Sequence, residues 1–160
     1  MVEDSVNSLW QQELKWNGWR QAQKTITFIG GTTNAIGDYD GTGDPFDIFT
    51  VTGDVVVKVI GVCTTDLAGA NATLRVGADV SGQYAEIIAQ TTATDIDAGD
   101  LWHDATPDKS IELSSVMAEK ILVNGVDIVG EVDTANITSG VIRFICLWKP
   151  LSVDGNVVIA

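Results

Sequence analysis

Two acidic stretches hold the side chains best suited to chemistry. Asp38-Tyr39-Asp40-Gly41-Thr42-Gly43-Asp44 sets three carboxylates among glycines, a composition able to gather oxygen ligands around Ca²⁺. Counted as an EF-hand loop from Asp38, glycine falls at the sixth position, but the twelfth is Phe49, where a bidentate Glu belongs. Asp and Gly are also ordinary residues of loops between strands, so a solvated loop is the expectation. The second stretch, Asp95 to Asp104, carries the single histidine, His103. One histidine and two distant cysteines do not make a His-rich zinc site, so no metal and no cofactor are expected. No Gly-x-Ser-x-Gly elbow marks a nucleophile for His103, and it reads as a strand-end residue beside Trp102. Twenty-two acids will always offer a plausible carboxylate pair, so pairing alone points to no glycosidase. The glycines at 30, 31, 41 and 43 lack the Lys-Ser/Thr and the helix that a phosphate cradle uses. None of this marks a catalytic residue, and no enzyme is expected.

A different signal lies at the start of the chain. Trp10, Trp16 and Trp19 place three of five tryptophans within ten residues. Trp10 and Leu14 are spaced i,i+4, and Leu9 and Trp16 i,i+7, so a short helix or an extended arm with one apolar face is expected over Val2–Gln23. Asp4 or Ser5 could cap it, and Gly18 weakens it near its end. Such an arm either folds back so that its indoles cover one end of the body, or docks on a neighbouring subunit, since tryptophan is over-represented at interface hot spots. Trp10, Leu14, Trp16 and Trp19 are the candidate partner-interface residues.

The body that must position these groups reads as β structure. Lys24–Ile29 alternates threonine with Ile26 and Phe28, the period of a half-buried strand. Phe46–Thr52 and Val55–Cys63 flank Gly53-Asp54 and predict a hairpin; Asn124-Gly125 predicts another between 120–123 and 126–132. Further strands are expected at 72–76, 84–90, 101–103 and 109–113, with one helical possibility at 114–119. The longest, 140–149, puts Ile142, Phe144, Cys146 and Trp148 on one face, and Asn156–Ala160 could add an edge strand. Short strands about ten residues apart with turn chemistry between them mean a sandwich or barrel. Residues 1–23 are therefore assigned to an arm and 24–160 to one β domain.

Bulk properties narrow the partners. At 160 residues the chain suits one domain, and 45% hydrophobic with 19% charged residues argues against disorder. A net charge of −13 repels phosphate backbones and anionic bilayers, so neither nucleic acid nor membrane is an expected partner. No apolar run approaches the ~18 residues of a membrane span, and the opening residues lack a secretory signal. Cys63 and Cys146, each inside an apolar run, are expected to be buried free thiols, with a single bridge as the other reading.

The Trp-bearing arm at Val2–Gln23, the Thr/Gly/Val-rich strands such as Lys24–Asn34, and the lack of a catalytic motif resemble head decoration (cement) proteins of tailed phages. The resemblance implies an all-β, jelly-roll-like sandwich or barrel, commonly trimeric, seated on the major capsid protein at the outside of the virion. It implies synthesis in the host cytoplasm and stabilisation of the head by bridging capsid subunits. It transfers no site residue. A receptor- or glycan-binding module of a fibre or tail is the second reading, and would use exposed aromatics, of which Tyr39, Tyr84 and Trp102 are the candidates. A hydrolase ranks behind both.

Overall fold

The computed structural model describes residues 18–39 and 45–160. They build eleven strands: β1 (Arg20–Thr27), β2 (Pro45–Thr52), β3 (Val55–Ala68), β4 (Thr73–Val80), β5 (Gln83–Thr92), β6 (Asp100–Trp102), β7 (Asp108–Lys109), β8 (Lys120–Leu122), β9 (Ile128–Asp133), β10 (Ser139–Pro150) and β11 (Asn156–Ile159). Among the described residues helical structure is confined to two single 3-10 turns, Ala93–Asp95 and Ser114–Val116, so the helix considered at 114–119 shrinks to one turn. All pairing is antiparallel, in two facing sheets. The fold is all-β, a sandwich.

One sheet runs β1-β10-β3-β6-β7, with β8 also pairing to β3; the other runs β11-β2-β9-β4-β5. The alternation that identifies these strands also fills the space between them. Val55, Val57, Val59 and Cys63 of β3, and Ile142, Phe144, Cys146 and Trp148 of β10, all point inward and are buried. Ile48, Phe49, Leu74, Val76, Ile88, Ile128 and Val132 meet them from the other sheet. In β2 the register shifts between Asp47 and Phe49, and this bulge lets adjacent Ile48 and Phe49 both be buried. Gly130 sits opposite Phe46 in the β2–β9 ladder. A Cβ at Gly130 would lie 2.2 Å from Phe46 Cζ, so the missing side chain makes room for the ring.

Polar links tie the two sheets together at both open sides. Lys24, on edge strand β1, shares the face of Ile26 and Ala22, and its Nζ donates to the carbonyls of Asp47 (2.8 Å) and Ala160 (2.9 Å) in the opposite sheet. An inward-pointing charge also discourages edge-to-edge aggregation. Across the core, the fully buried indole of Trp102 on β6 donates from Nε1 to Thr91 Oγ1 on β5 at 2.9 Å.

The turn signals are correct as turns and wrong as hairpins. Gly53 has φ +62°, but β2 and β3 lie in different sheets, so the Gly53-Asp54 turn is an arch that crosses the sandwich. Asn124 (φ +58°) and Gly125 (φ +66°) likewise join β8 in one sheet to β9 in the other. The arches rest on each other: Gly125 N–H donates to Gly53 O at 2.9 Å, and Asn124 N–H to Asp54 Oδ1 at 2.9 Å. The strands expected at 72–76 and 84–90 do pair as a hairpin, β4–β5, turning through Ser81-Gly82, with β4 running on to Val80. β1 starts at Arg20, four residues before the alternation that suggested it, because Arg20–Gln23 pair with Ile145–Trp148.

Cys63 and Cys146 are free and buried. Cys63 lies opposite Ile142 and Cys146 opposite Val59, so four residues of ladder separate them. That is roughly 13 Å of strand, well beyond the Cα separation of about 4.4–6.8 Å that a disulfide spans.

Candidate interaction surface

The outer faces of the two sheets differ in chemistry. On the β1-β10-β3 sheet, Val56, Ile60 and Val62 of β3 and Val141, Ile145 and Leu147 of β10 alternate outward and stay partly exposed, accompanied by Lys58, Arg143 and Lys149. On the other sheet the outward positions include Asp47, Asp79, Glu86, Glu131 and Asp133, with Arg75 set among the acids. Arg75 bonds Glu131 at 2.9 Å, lies 3.8 Å from Glu86 and stacks 4.1 Å from the centre of the Tyr84 ring. One face is therefore aliphatic and cationic, the other anionic.

The connection from β7 to β9 carries further exposed apolar side chains. Ile111 is 85% exposed, Leu113 69% and Ile121 66%, with Val116 and Val123 about half exposed. Ile121 belongs to β8, which pairs with Val55–Val57 of β3, so this strap borders the aliphatic face. Five exposed β-branched or leucine side chains within thirteen residues exceed the scattered apolar exposure normal for a surface. No composition signal marked this strap, because its residues alternate with Ser, Glu and Lys and read as ordinary short strands.

Trp19 lies on the same side. Its ring is half-buried, with Lys149 Nζ 4.6 Å and Lys58 Nζ 5.3 Å from the ring, both within cation–π range. Trp10, Leu14 and Trp16, the other candidates of the arm, lie outside the described residues, as do Asp40–Asp44 of the first acidic loop. Of that loop, Asp38 accepts Asn34 N–H through Oδ2 at 3.0 Å, a turn contact. Of the aromatics suggested for glycan recognition one is withheld from solvent and two are partly buried. Trp102 is fully buried, Tyr84 donates its hydroxyl to Val129 O at 2.9 Å, and Tyr39 packs against the core.

The second acidic stretch divides into two groups. Asp97 and Asp100 hold Lys109 Nζ at 3.4 and 3.2 Å, and Asp100 Oδ2 accepts Asp97 N–H at 2.9 Å. His103 lies one position beyond β6, its side chain only 4% exposed. Its Nδ1 is 3.9 Å from Asp104 Oδ2, and its Nε2 is 3.6 Å from Glu112 Oε2. Asp108 hydrogen-bonds Glu112, which pushes the Asp108 carboxyl above its usual range. Glu112 is held below its own by the Leu113 N–H and by Asp108. Among the described residues no serine hydroxyl hydrogen-bonds His103. Sequence reasoning took His103 as an isolated strand-end residue and missed Asp108 and Glu112. The β6–β7 pairing of Leu101 with Asp108 is what folds them back onto it.

Comparison with known proteins adds little to this geometry. A scan against protein-family models finds no match, and no curated protein matches the sequence. Among solved structures, a chain of the capsid asymmetric unit of cyanophage Pam1 is similar over 82% of this chain and 85% of that one. The identity is 14% and the TM-score 0.32.

Proposed function

We propose that this protein is a structural component of a phage virion, a decoration protein that seats on the outside of the head and bridges subunits of the major capsid protein. It works by burying surface, without catalysis or a cofactor, and is itself a homotrimer. The observation that carries the reading is the sided exterior: aliphatic and cationic side chains over one sheet and its strap, acidic ones over the other. A body of net charge −13 that concentrates Lys58, Arg143, Lys149 and exposed Ile121 on one side, with Ile111 and Leu113 exposed in the adjoining strap, offers apolar and cationic surface to a protein and the acidic face to solvent.

The winding of the strands supports the same reading. With β6, β7 and β11 set aside, the eight remaining strands in chain order place first, eighth, third and sixth in one sheet, against second, seventh, fourth and fifth in the other. That is the order of a jelly roll, an architecture used by capsid domains and also by lectins, so it favours the class without selecting the partner.

Co-sedimentation with phage heads tests the proposal. The wild-type chain is expected to pellet with heads, and Leu113→Asp/Ile121→Asp to remain in the supernatant while keeping its melting temperature, because both side chains are exposed. Native mass spectrometry is expected to show a trimer, each contact burying a standard ~1,600 Å². A strict monomer at high concentration, or undiminished head binding by the double variant, would overturn the reading.

A further inference from the structure

We propose that His103, Asp108 and Glu112 form a binding site for a divalent first-row transition-metal ion, of which zinc is the natural probe. One nitrogen or oxygen from each of the three lies within 4.8 Å of the others. Two ligand atoms about 2.1 Å from a tetrahedral zinc are about 3.4 Å apart, close to the 3.6 Å between His103 Nε2 and Glu112 Oε2. Small side-chain rotations of Asp108 close the remainder, since it sits on the short surface strand β7.

The independent pointer is the histidine itself. Its side chain is almost wholly buried, and its Nε2 is without a hydrogen-bond partner although it faces the two carboxylates. A buried polar atom left without a partner is costly, so a ligand there is physically motivated. The other ring nitrogen faces Asp104, whose carboxylate could hold the Nδ1–H tautomer and leave the Nε2 lone pair free, the usual outer support of a metal-bound imidazole.

Charge argues the same way. Asp104, Asp108 and Glu112 surround a single imidazole, and the adjacent cation, Lys109, is turned away to Asp97 and Asp100. The Asp108 and Glu112 carboxylates therefore lie within 4.8 Å of each other with that lysine held elsewhere. One imidazole with two carboxylates suits zinc and its neighbours better than Mg²⁺ or Ca²⁺, which prefer all-oxygen shells. Three protein ligands leave a fourth position for water. Glu112 belongs to the strap at 111–123, but the existence of the site does not depend on the decoration reading.

The test uses the full chain, stripped with chelator and titrated with Zn²⁺ and, for its visible spectrum, Co²⁺. One equivalent of zinc is expected, with a rise in melting temperature that Mg²⁺ does not reproduce. Loss of a supporting partner alone costs metal sites about 10–100-fold in affinity, so Glu112→Gln and Asp108→Asn are each expected to weaken zinc at least tenfold. Both side chains are near the surface and spare the fold, whereas His103→Gln, which removes a buried ring, serves as a supporting variant only. Absence of zinc binding in excess metal overturns the proposal, as does equal affinity in all variants, which would mean scattered surface carboxylates.

Discussion

Replacing Gly130 with alanine isolates one packing decision that the core depends on. A methyl there would approach Phe46 Cζ, Cε2 and Cε1 at 2.2, 2.5 and 2.7 Å, and Phe46 is itself pinned edge-on to Phe28 with ring centres 5.7 Å apart. The ring cannot swing away without giving up that contact, so overpacking should cost about 1–3 kcal/mol. For a chain of this size about 2 kcal/mol corresponds to a melting-temperature fall of roughly 4–8 °C. Phe46→Ala alone should cost about 3 kcal/mol, the low end for a ring at the margin of the core. In the Phe46→Ala background the obstacle is gone, and Gly130→Ala should become neutral or slightly stabilising, since glycine in a strand costs roughly 0.5–1 kcal/mol relative to alanine. Urea denaturation of the four proteins therefore should give a coupling of about 2 kcal/mol. Additivity within about 0.5 kcal/mol would show that the two residues do not share this space.

Lys24→Met should destabilise by about 1 kcal/mol, as two bonds to carbonyls of the opposite sheet are lost near the solvent boundary; an unchanged urea midpoint would deny the seam any role. Burial pushes the Cys63 thiol up to about 11 and that of Cys146 to about 12. Neither should react with a disulfide reagent at pH 8 until denaturant is added, when both should, and fast labelling of the native chain would refute the burial. Unfolded thiols ionise near 9.0 while the folded ones retain their protons, so the unfolded chain binds fewer protons and stability should fall as pH rises from 9 toward 11.

Much of the architecture is legible in the residues, and where legibility stops has a physical cause. β10 shows itself completely, because Ile142, Phe144, Cys146 and Trp148 alternate without a break and all four prove buried. Gly53 and Asn124-Gly125 announce turns, because only certain residues accept positive φ; a turn type does not say which sheet the next strand joins. That is decided by the distant strands β9 and β10, which pair with β2 and β3 in separate sheets. The metal-ligand candidates fail to announce themselves for the same reason. His103, Asp108 and Glu112 have no helical or strand period, and only the β6–β7 pairing brings them together. The exposed strap at 111–123 is a case where a hydrophobic residue at strand-like spacing is no guide to burial, since β8 is three residues long and Ile121 at its centre stays 66% exposed.

The stacked arches at Gly53 and Asn124-Gly125 bear on how the molecule comes into being. Since each carries the chain out of one layer into the other, the central ladders β1–β10, β3–β10, β2–β9 and β4–β9 all wait for residues 128–150. Of the long ladders, β4–β5 alone is local. Neither layer can close before β9 and β10 have been made, and loop-closure entropy makes such topologies slow. A ribosome-bound fragment ending before β9 should thus hold the β4–β5 hairpin and little else, and maturation should begin only once residues 128–150 have emerged.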